Sequence, residues 1–133
     1  MTSKRVRSLP AMLLAVSMIL IPALLSAQEQ ATVPQQFVYV LRLAPHYHVE
    51  SAWTDAANAA VTSHFQRLSR DAAAGQVILS GRTSEPLDQT FGLVVFEAED
   101  EAAARRYMES DPAVVAGVMT ATLHPYSVAL LRK

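Results

Sequence analysis

Four histidines are the residues best suited to chemistry in this 133-residue chain, which has no cysteine. A neutral imidazole moves protons near neutral pH and also ligates transition metals. His64 falls inside a helical run from Thr54 to Ala74. At about 100° per residue, Val61, Phe65, Leu68 and Ala72 form one apolar stripe, and His64 lies roughly 60° from its middle. That position suits a structural histidine held by backbone, or a base reaching past the helix to the sheet rim. Asp111, in Ser110-Asp111-Pro112, reads first as a helix cap, a role worth about 1 kcal/mol. A capping carboxylate is also held rigidly. Its second oxygen can orient an imidazole, select one tautomer and stabilise the imidazolium. Spacing alone does not bring Asp111 to His64.

His46 and His48 form a second constellation. In extended backbone, residues two apart point the same way, so the pair could bind a transition metal with Glu50 or His124. Two ligands do not make a site, and the strong zinc motifs are missing. The plainer reading is a polar loop with Tyr47 packed over the sheet edge. Tyr39, Tyr126, Phe91 and Trp53 could line an aromatic pocket, although each also suits a core. Arg105-Arg106 with Glu97, Glu99 and Glu101 reads as a solvated, modestly ion-paired surface.

These residues need a scaffold, and the composition bounds it. The chain is 51% hydrophobic and 17% charged, with 11 basic against 12 acidic residues. Such a chain is too apolar for a disordered protein. It lacks the thiols of a disulfide scaffold or thiolate zinc site and has no polycationic surface for nucleic acid. No motif for nucleotide, phosphate, haem or flavin is present, so no cofactor is expected. Residues 1–27 read as an export signal: a basic start (Lys4, Arg5, Arg7), an uncharged run from Leu9 to Leu25, and Ala27 before a polar continuation. A retained anchor is the alternative, against which Pro10, Pro22 and the short run count. Cleavage would remove three basic residues and no acid, leaving a more acidic protein with no membrane segment, periplasmic or secreted. Residues 28–35 form a polar leader, and one domain fills 36–133.

Within that domain, Gln36 to Leu43 is rich in β-branched and aromatic residues and reads as a strand. A loop over Ala44 to Glu50 precedes the long helix, which Ser51 or Thr54 can cap and Gly75 can end. Further strands follow at Gln76–Gly81 and Phe91–Phe96. A helix then runs to about Glu109, a short turn from Asp111 to Gly117, and an extended segment beyond Val118. The order is βαββαβ, a ferredoxin-like α+β domain with a four-stranded antiparallel sheet and both helices on one face. Phe37, Tyr39, Leu41 and Leu43 mark one face of the first strand, but Val38 and Val40 mark the other. Two helices cover only one face. A bare apolar sheet face exceeds what monomers usually expose, so a homodimer, sheet against sheet, is expected. The competing reading folds the loop Arg82–Thr90 or the C-terminus over that face.

Several segments together resemble the YCII-related family of the dimeric α/β-barrel superfamily. They are His64-Phe-Gln-Arg-Leu68, Gly75-Gln-Val-Ile-Leu-Ser-Gly81, Gly92-Leu-Val-Val-Phe-Glu97 and, most specifically, Ser110-Asp-Pro-Ala-Val-Val-Ala-Gly-Val118, followed by Pro125-Tyr126. The resemblance runs from about Phe37 to Lys133. It implies the same dimeric barrel and a histidine–aspartate pair in a pocket, which carries over to His64 and Asp111. One relative is a dehydrochlorinase of a chlorinated hydroxyquinol, whereas most members have no assigned reaction. The family's second strand usually ends Gly-Pro, and here it ends Gly81-Arg82. Arg82 is either a solvated loop residue or a cation at the pocket mouth that favours an anion. Gly81, Arg82 and Tyr126 are therefore the expected substrate-binding residues, and no metal ligand is assigned.

Three functions follow. The first is a cofactor-independent lyase or isomerase, in which ionised Asp111 holds His64 and His64 moves a proton on a small polar or aromatic molecule. The second is a non-catalytic barrel that binds a small ligand. The third is a periplasmic metal-binding protein using His46 and His48.

Overall fold

The computed structural model describes Thr2 and residues 33–132. Apart from Thr2, the expected signal segment, 1–27, lies outside those described residues, as does most of the leader. Strand β1 (Gln35–Leu43) is followed by two single 3-10 turns, Pro45–His48 and Glu50–Ala52. Then come helix α1 (Asp55–Ala73), strands β2 (Val77–Arg82) and β3 (Phe91–Ala98), helices α2 (Glu101–Glu109) and α3 (Pro112–Val115), and strand β4 (Met119–Pro125). The four strands form one sheet in the order β2-β3-β1-β4, antiparallel throughout. Since β1 and β2 both run antiparallel to β3, each helix joins two parallel, non-adjacent strands. This is the expected split arrangement. Among the described residues, no helix is long and apolar enough to cross a membrane.

Local chemistry sets the boundaries. The Thr54 side chain accepts from the Ala57 N–H and starts α1. Asp100 does the same for α2 through Ala103, and Asp111 for α3 through Ala113. Each cap satisfies an amide the helix leaves free. Gly75 (φ 86°) and Gly117 (φ 69°) turn the chain out of α1 and α3. That left-handed region costs most residues a Cβ clash that glycine avoids.

The core lies between sheet and helices. Phe37, Tyr39 and Leu41 of β1 face Phe96, Val94 and Gly92 of β3 in register. Leu68 of α1 with Ala104 and Met108 of α2 close over them. Rings interlock here: Phe96 stacks on Tyr107 at 4.8 Å and meets Tyr39 edge-on at 5.5 Å. The opposite face carries Val38, Val40 and Arg42 against Val95, Leu93 and Phe91. It is less bare than the alternation implies. Val38 and Val95 are buried, Val40, Leu93 and Phe91 half-buried, and Leu79 exposed. The C-terminal tail turns back to β1, where the Val128 N–H donates to Gln36 Oε1. Its tip does not cover the face, since Leu130 is 94% exposed.

One helix reading is corrected. The stripe of α1 expected from Val61, Phe65, Leu68 and Ala72 is rotated. Phe65 is 68% exposed and Ala72 is exposed, whereas Ala57 and Leu68 are buried and Val61, His64 and Asp71 half-buried. His64 therefore lies at the middle of the inward line rather than at its edge. The large apolar side chains mispointed the stripe because the neighbours of α1 here are polar: Asp111 opposite His64, and Tyr107 opposite Asp71.

Candidate active site

The turn Gly117-Val118 returns the chain to the sheet and pins α3, with its Asp111 cap, beside the middle of α1. Asp111 is 0% exposed. Its Oδ1 accepts from the Ala113 N–H at 3.0 Å. Its Oδ2 accepts from the Tyr39 hydroxyl at 2.9 Å and contacts His64 Nδ1 at 2.7 Å. Burial pushes this carboxyl upward, but the hydrogen bond and charge of His64, the Ala113 N–H and the Tyr39 hydroxyl together outweigh it. The carboxyl lies below its ordinary value. An ionised carboxylate only accepts hydrogen bonds. His64 Nδ1 therefore donates to the carboxylate, an arrangement that in the neutral ring leaves the lone pair on Nε2. Burial, then the neighbouring Asp111, raises the ionisation of Tyr39 far above its ordinary value, so the phenol stays a donor.

A second assembly lies a turn further along α1. Tyr107 donates to Asp71 Oδ2 at 2.7 Å. Arg67 lies 4.0 Å over the Tyr107 ring and donates to Tyr107 O and Ser110 Oγ. The chemistry-first reading of the sequence missed Tyr39 as an Asp111 partner, and it missed Arg67, Asp71 and Tyr107 altogether. An i, i+4 Arg–Asp spacing on α1 was the available signal. The strand position of Tyr39 reads equally well as core.

His64 is 13% exposed and lines a cleft of about 490 Å³ between α1 and the sheet. Leu41, Leu43 and Met119 form its floor, Trp53 and Phe65 its helix side, and Ser80, Gly81, Arg82 and Gly92 its sheet edge. Of the expected binding residues, Gly81 and Arg82 reach this cleft. Tyr126 does not and is corrected: its N–H bonds Gln36 O. Five residues of β1, roughly 17 Å at strand rise, separate Gln36 from the cleft residue Leu41. Of the four aromatics read as pocket candidates, Trp53 lines the cleft and Tyr39 lies beneath it, whereas Phe91 borders it from the strand edge with its ring on the far face under Arg42.

The geometry expected of His46 and His48 is also corrected. They lie in a 3-10 turn, not in extended backbone, so residues two apart point away from each other. His48 Nε2 is engaged with Leu43 O at 3.1 Å, and His46 packs edge-on to Tyr47. His124 lies opposite Val38 on the far sheet face. Among the described residues, no three His, Asp or Glu side chains gather where a metal could be held.

No curated protein matches the chain. One similar solved structure is 5-chloro-2-hydroxyhydroquinone dehydrochlorinase (TftG) from Burkholderia phenoliruptrix AC1100, in complex with 2,5-dihydroxybenzoquinone. It is 15% identical, with 69% of this chain and 93% of that one covered at a TM-score of 0.47. Another is MtbAldR, 17% identical, with 78% of this chain and 60% of that one covered at a TM-score of 0.48. The YCII-related domain family matches residues 38–123, a span from within β1 to near the end of β4 that holds both His64 and Asp111. The chain belongs to the YCII-related domain family.

Proposed function

We propose that this protein is a cofactor-independent acid–base catalyst, a lyase or isomerase acting on a small polar or aromatic molecule. The observation that carries the reading is the 2.7 Å contact between His64 Nδ1 and buried Asp111 at the wall of a cleft. Asp111, braced by the Ala113 N–H and the Tyr39 hydroxyl, fixes the imidazole with Nε2 as the free base. His64 Nε2 takes a proton from an acidic C–H or O–H of the ligand. The freed electron pair expels a leaving group from the neighbouring atom or is reprotonated at another carbon. The imidazolium, stabilised by Asp111, returns its proton to the product or to the departing group. Positioned acid–base chemistry of this kind supplies about 10²- to 10⁴-fold.

The working form is a homodimer, supported by the apolar side chains left on the far sheet face, Leu79 above all. The basic start and uncharged run of residues 1–27 support export to the periplasm or beyond.

The test is a turnover screen of small enols, phenols and lactones with the wild type and His64→Ala, beside ¹⁵N spectra of the His64 ring. The reading requires an Nδ1-protonated ring and a turnover that falls at least about 100-fold in the variant. Ligand bound without turnover in either protein identifies a binding module instead. Sedimentation of a single-chain species ends the dimer.

A further inference from the structure

We infer that the cleft selects a small planar organic anion, and that Arg82 is the residue that sets this preference. The inference rests on the cleft being the ligand site proposed above, and it names the class of ligand.

No acidic residue lines the cleft among the described residues, and Arg82 is the one permanently charged side chain on its wall. The strand register places it. Arg82 pairs with Gly92, and Gly92 with Leu41, whose side chain is in the cleft. Direct cross-strand partners share a face, so Arg82 stands on the same side of the sheet as His64's helix. Ser80, two residues back, shares that side opposite Val94, and its hydroxyl has no hydrogen-bond partner among the described residues. Glu85 and Asp88 follow in the next loop. Both are exposed, neither lines the cleft, and neither comes within ion-pair distance of Arg82.

Electrostatics gives that cation a purpose. Asp111 is ionised behind His64, so an anionic ligand approaching Nε2 meets a negative charge in a partly dry site. The chain as a whole is formally −1 and attracts no anion. A preference for anions must therefore be local, and Arg82 is its local source. Guanidinium donors match a carboxylate or enolate edge-on. Trp53 and Phe65 supply aromatic walls that suit a flat ring. Gly92 keeps the floor beside Arg82 low: a Cβ there would only reach ordinary contact with Leu41 and Gly81 O at 3.5 Å. The space it leaves is open to the ligand.

Trp53 is the single tryptophan of the chain and lines the cleft, so its fluorescence reports occupancy. The full-length protein is titrated with 4-hydroxybenzoate and with neutral, equally shaped 4-hydroxybenzamide, and calorimetry checks the constants. Wild type is expected to bind the acid at least about tenfold more tightly than the amide. Arg82→Gln, an exposed position where folding is not at stake, erases that ratio by weakening the acid alone, and Arg82→Lys keeps most of it. Equal binding of acid and amide, no binding of either, or a ratio that survives Arg82→Gln overturns the inference. His64→Ala separates the two proposals, because it removes turnover but leaves the acid-over-amide ratio. A ratio present in a protein whose turnover ignores His64 sinks the catalytic reading and leaves the anion site standing.

Discussion

Helix α1 carries two assemblies built from nearly the same parts. At one, buried Asp111 takes a hydroxyl from Tyr39 and a ring N–H from His64. At the other, Asp71 takes a hydroxyl from Tyr107 and lies 3.7 Å from Arg67. Each is a carboxylate, a phenol and a cation-capable group, joined across α1 to the sheet or to α2. They differ in what the third member can do. Arg67 is permanently charged and pinned, with its plane on Tyr107 and donors on Tyr107 O and Ser110 Oγ. His64 is a titratable ring, and it lines a cleft. Similar networks serve as a clamp in one place and as a candidate proton-transfer site in the other. The titratable partner and the neighbouring void make the distinction.

The largest effect expected from breaking this comparison is at Asp111. Asp111→Ala leaves the Tyr39 hydroxyl and the His64 ring without their acceptor and uncaps α3. Removing one member of a buried pair costs about 3–5 kcal/mol, which urea unfolding would read as a much lower midpoint. A loss within the range of a cap alone, about 1 kcal/mol, would show that the pair contributes little to the fold.

Next is Arg67→Met, which keeps the aliphatic stem but removes the guanidinium from the Tyr107 ring and deletes the donors to Tyr107 O and Ser110 Oγ. It should cost about 1–3 kcal/mol and leave the His64 ring tautomer, read by ¹⁵N shifts, untouched. A change in that tautomer would couple the two assemblies.

Smaller still is Tyr39→Phe, at about 1 kcal/mol. Asp111 keeps the Ala113 N–H and His64, so the pair persists with one donor fewer. A loss as large as that of Asp111→Ala would make Tyr39, not His64, the main brace of the carboxylate.

The pH profile sharpens the comparison further. Asp111 lies below its ordinary value when folded. Its contribution to stability is therefore complete above the unfolded carboxyl value of about 3.9 and is lost as pH falls through the lower, folded value. Asp111→Asn should flatten that acid limb in unfolding curves, and an unchanged limb would remove Asp111 as its source. On the alkaline side the two assemblies behave alike. Burial, then Asp111 for Tyr39 and Asp71 for Tyr107, raises both phenols well above the ordinary range. Their contributions hold below about pH 10 and are lost only as pH rises towards the folded values. Ultraviolet titration should find two of the four tyrosines silent until the protein unfolds. Four tyrosines ionising together near pH 10 would contradict the burial of Tyr39 and Tyr107.

Much of the scaffold was legible in residue order. Strand β1 was visible in Gln36-Phe-Val-Tyr-Val-Leu-Arg-Leu43, and the end of α1 in Gly75, because β-branched alternation and left-handed glycine are local properties. Asp111 was legible as a cap for the same reason: Ser110-Asp111-Pro112 needs only its own backbone. Pairing it with His64 needed the family resemblance, since the two lie 47 positions apart. The buried line of α1 was misread, because apolarity alone does not report that its facing surface holds carboxylate and phenol. The resemblance groups Tyr126 with the site, whereas its N–H bonds Gln36 O at the other end of β1. The alternation of His46 and His48 suggests extended backbone, whereas the chain winds into a 3-10 turn there.

Local interactions, then, determine where this chain is strand, where it is helix and which carboxylate caps α3, since each depends on neighbours a few residues away. Whether Asp111 meets an imidazole or only its own helix, and whether Arg82 faces a cleft or water, is decided by strand register and helix rotation. Those are long-range outcomes of packing one polar-lined helix against one face of the sheet, and no window of sequence contains both partners.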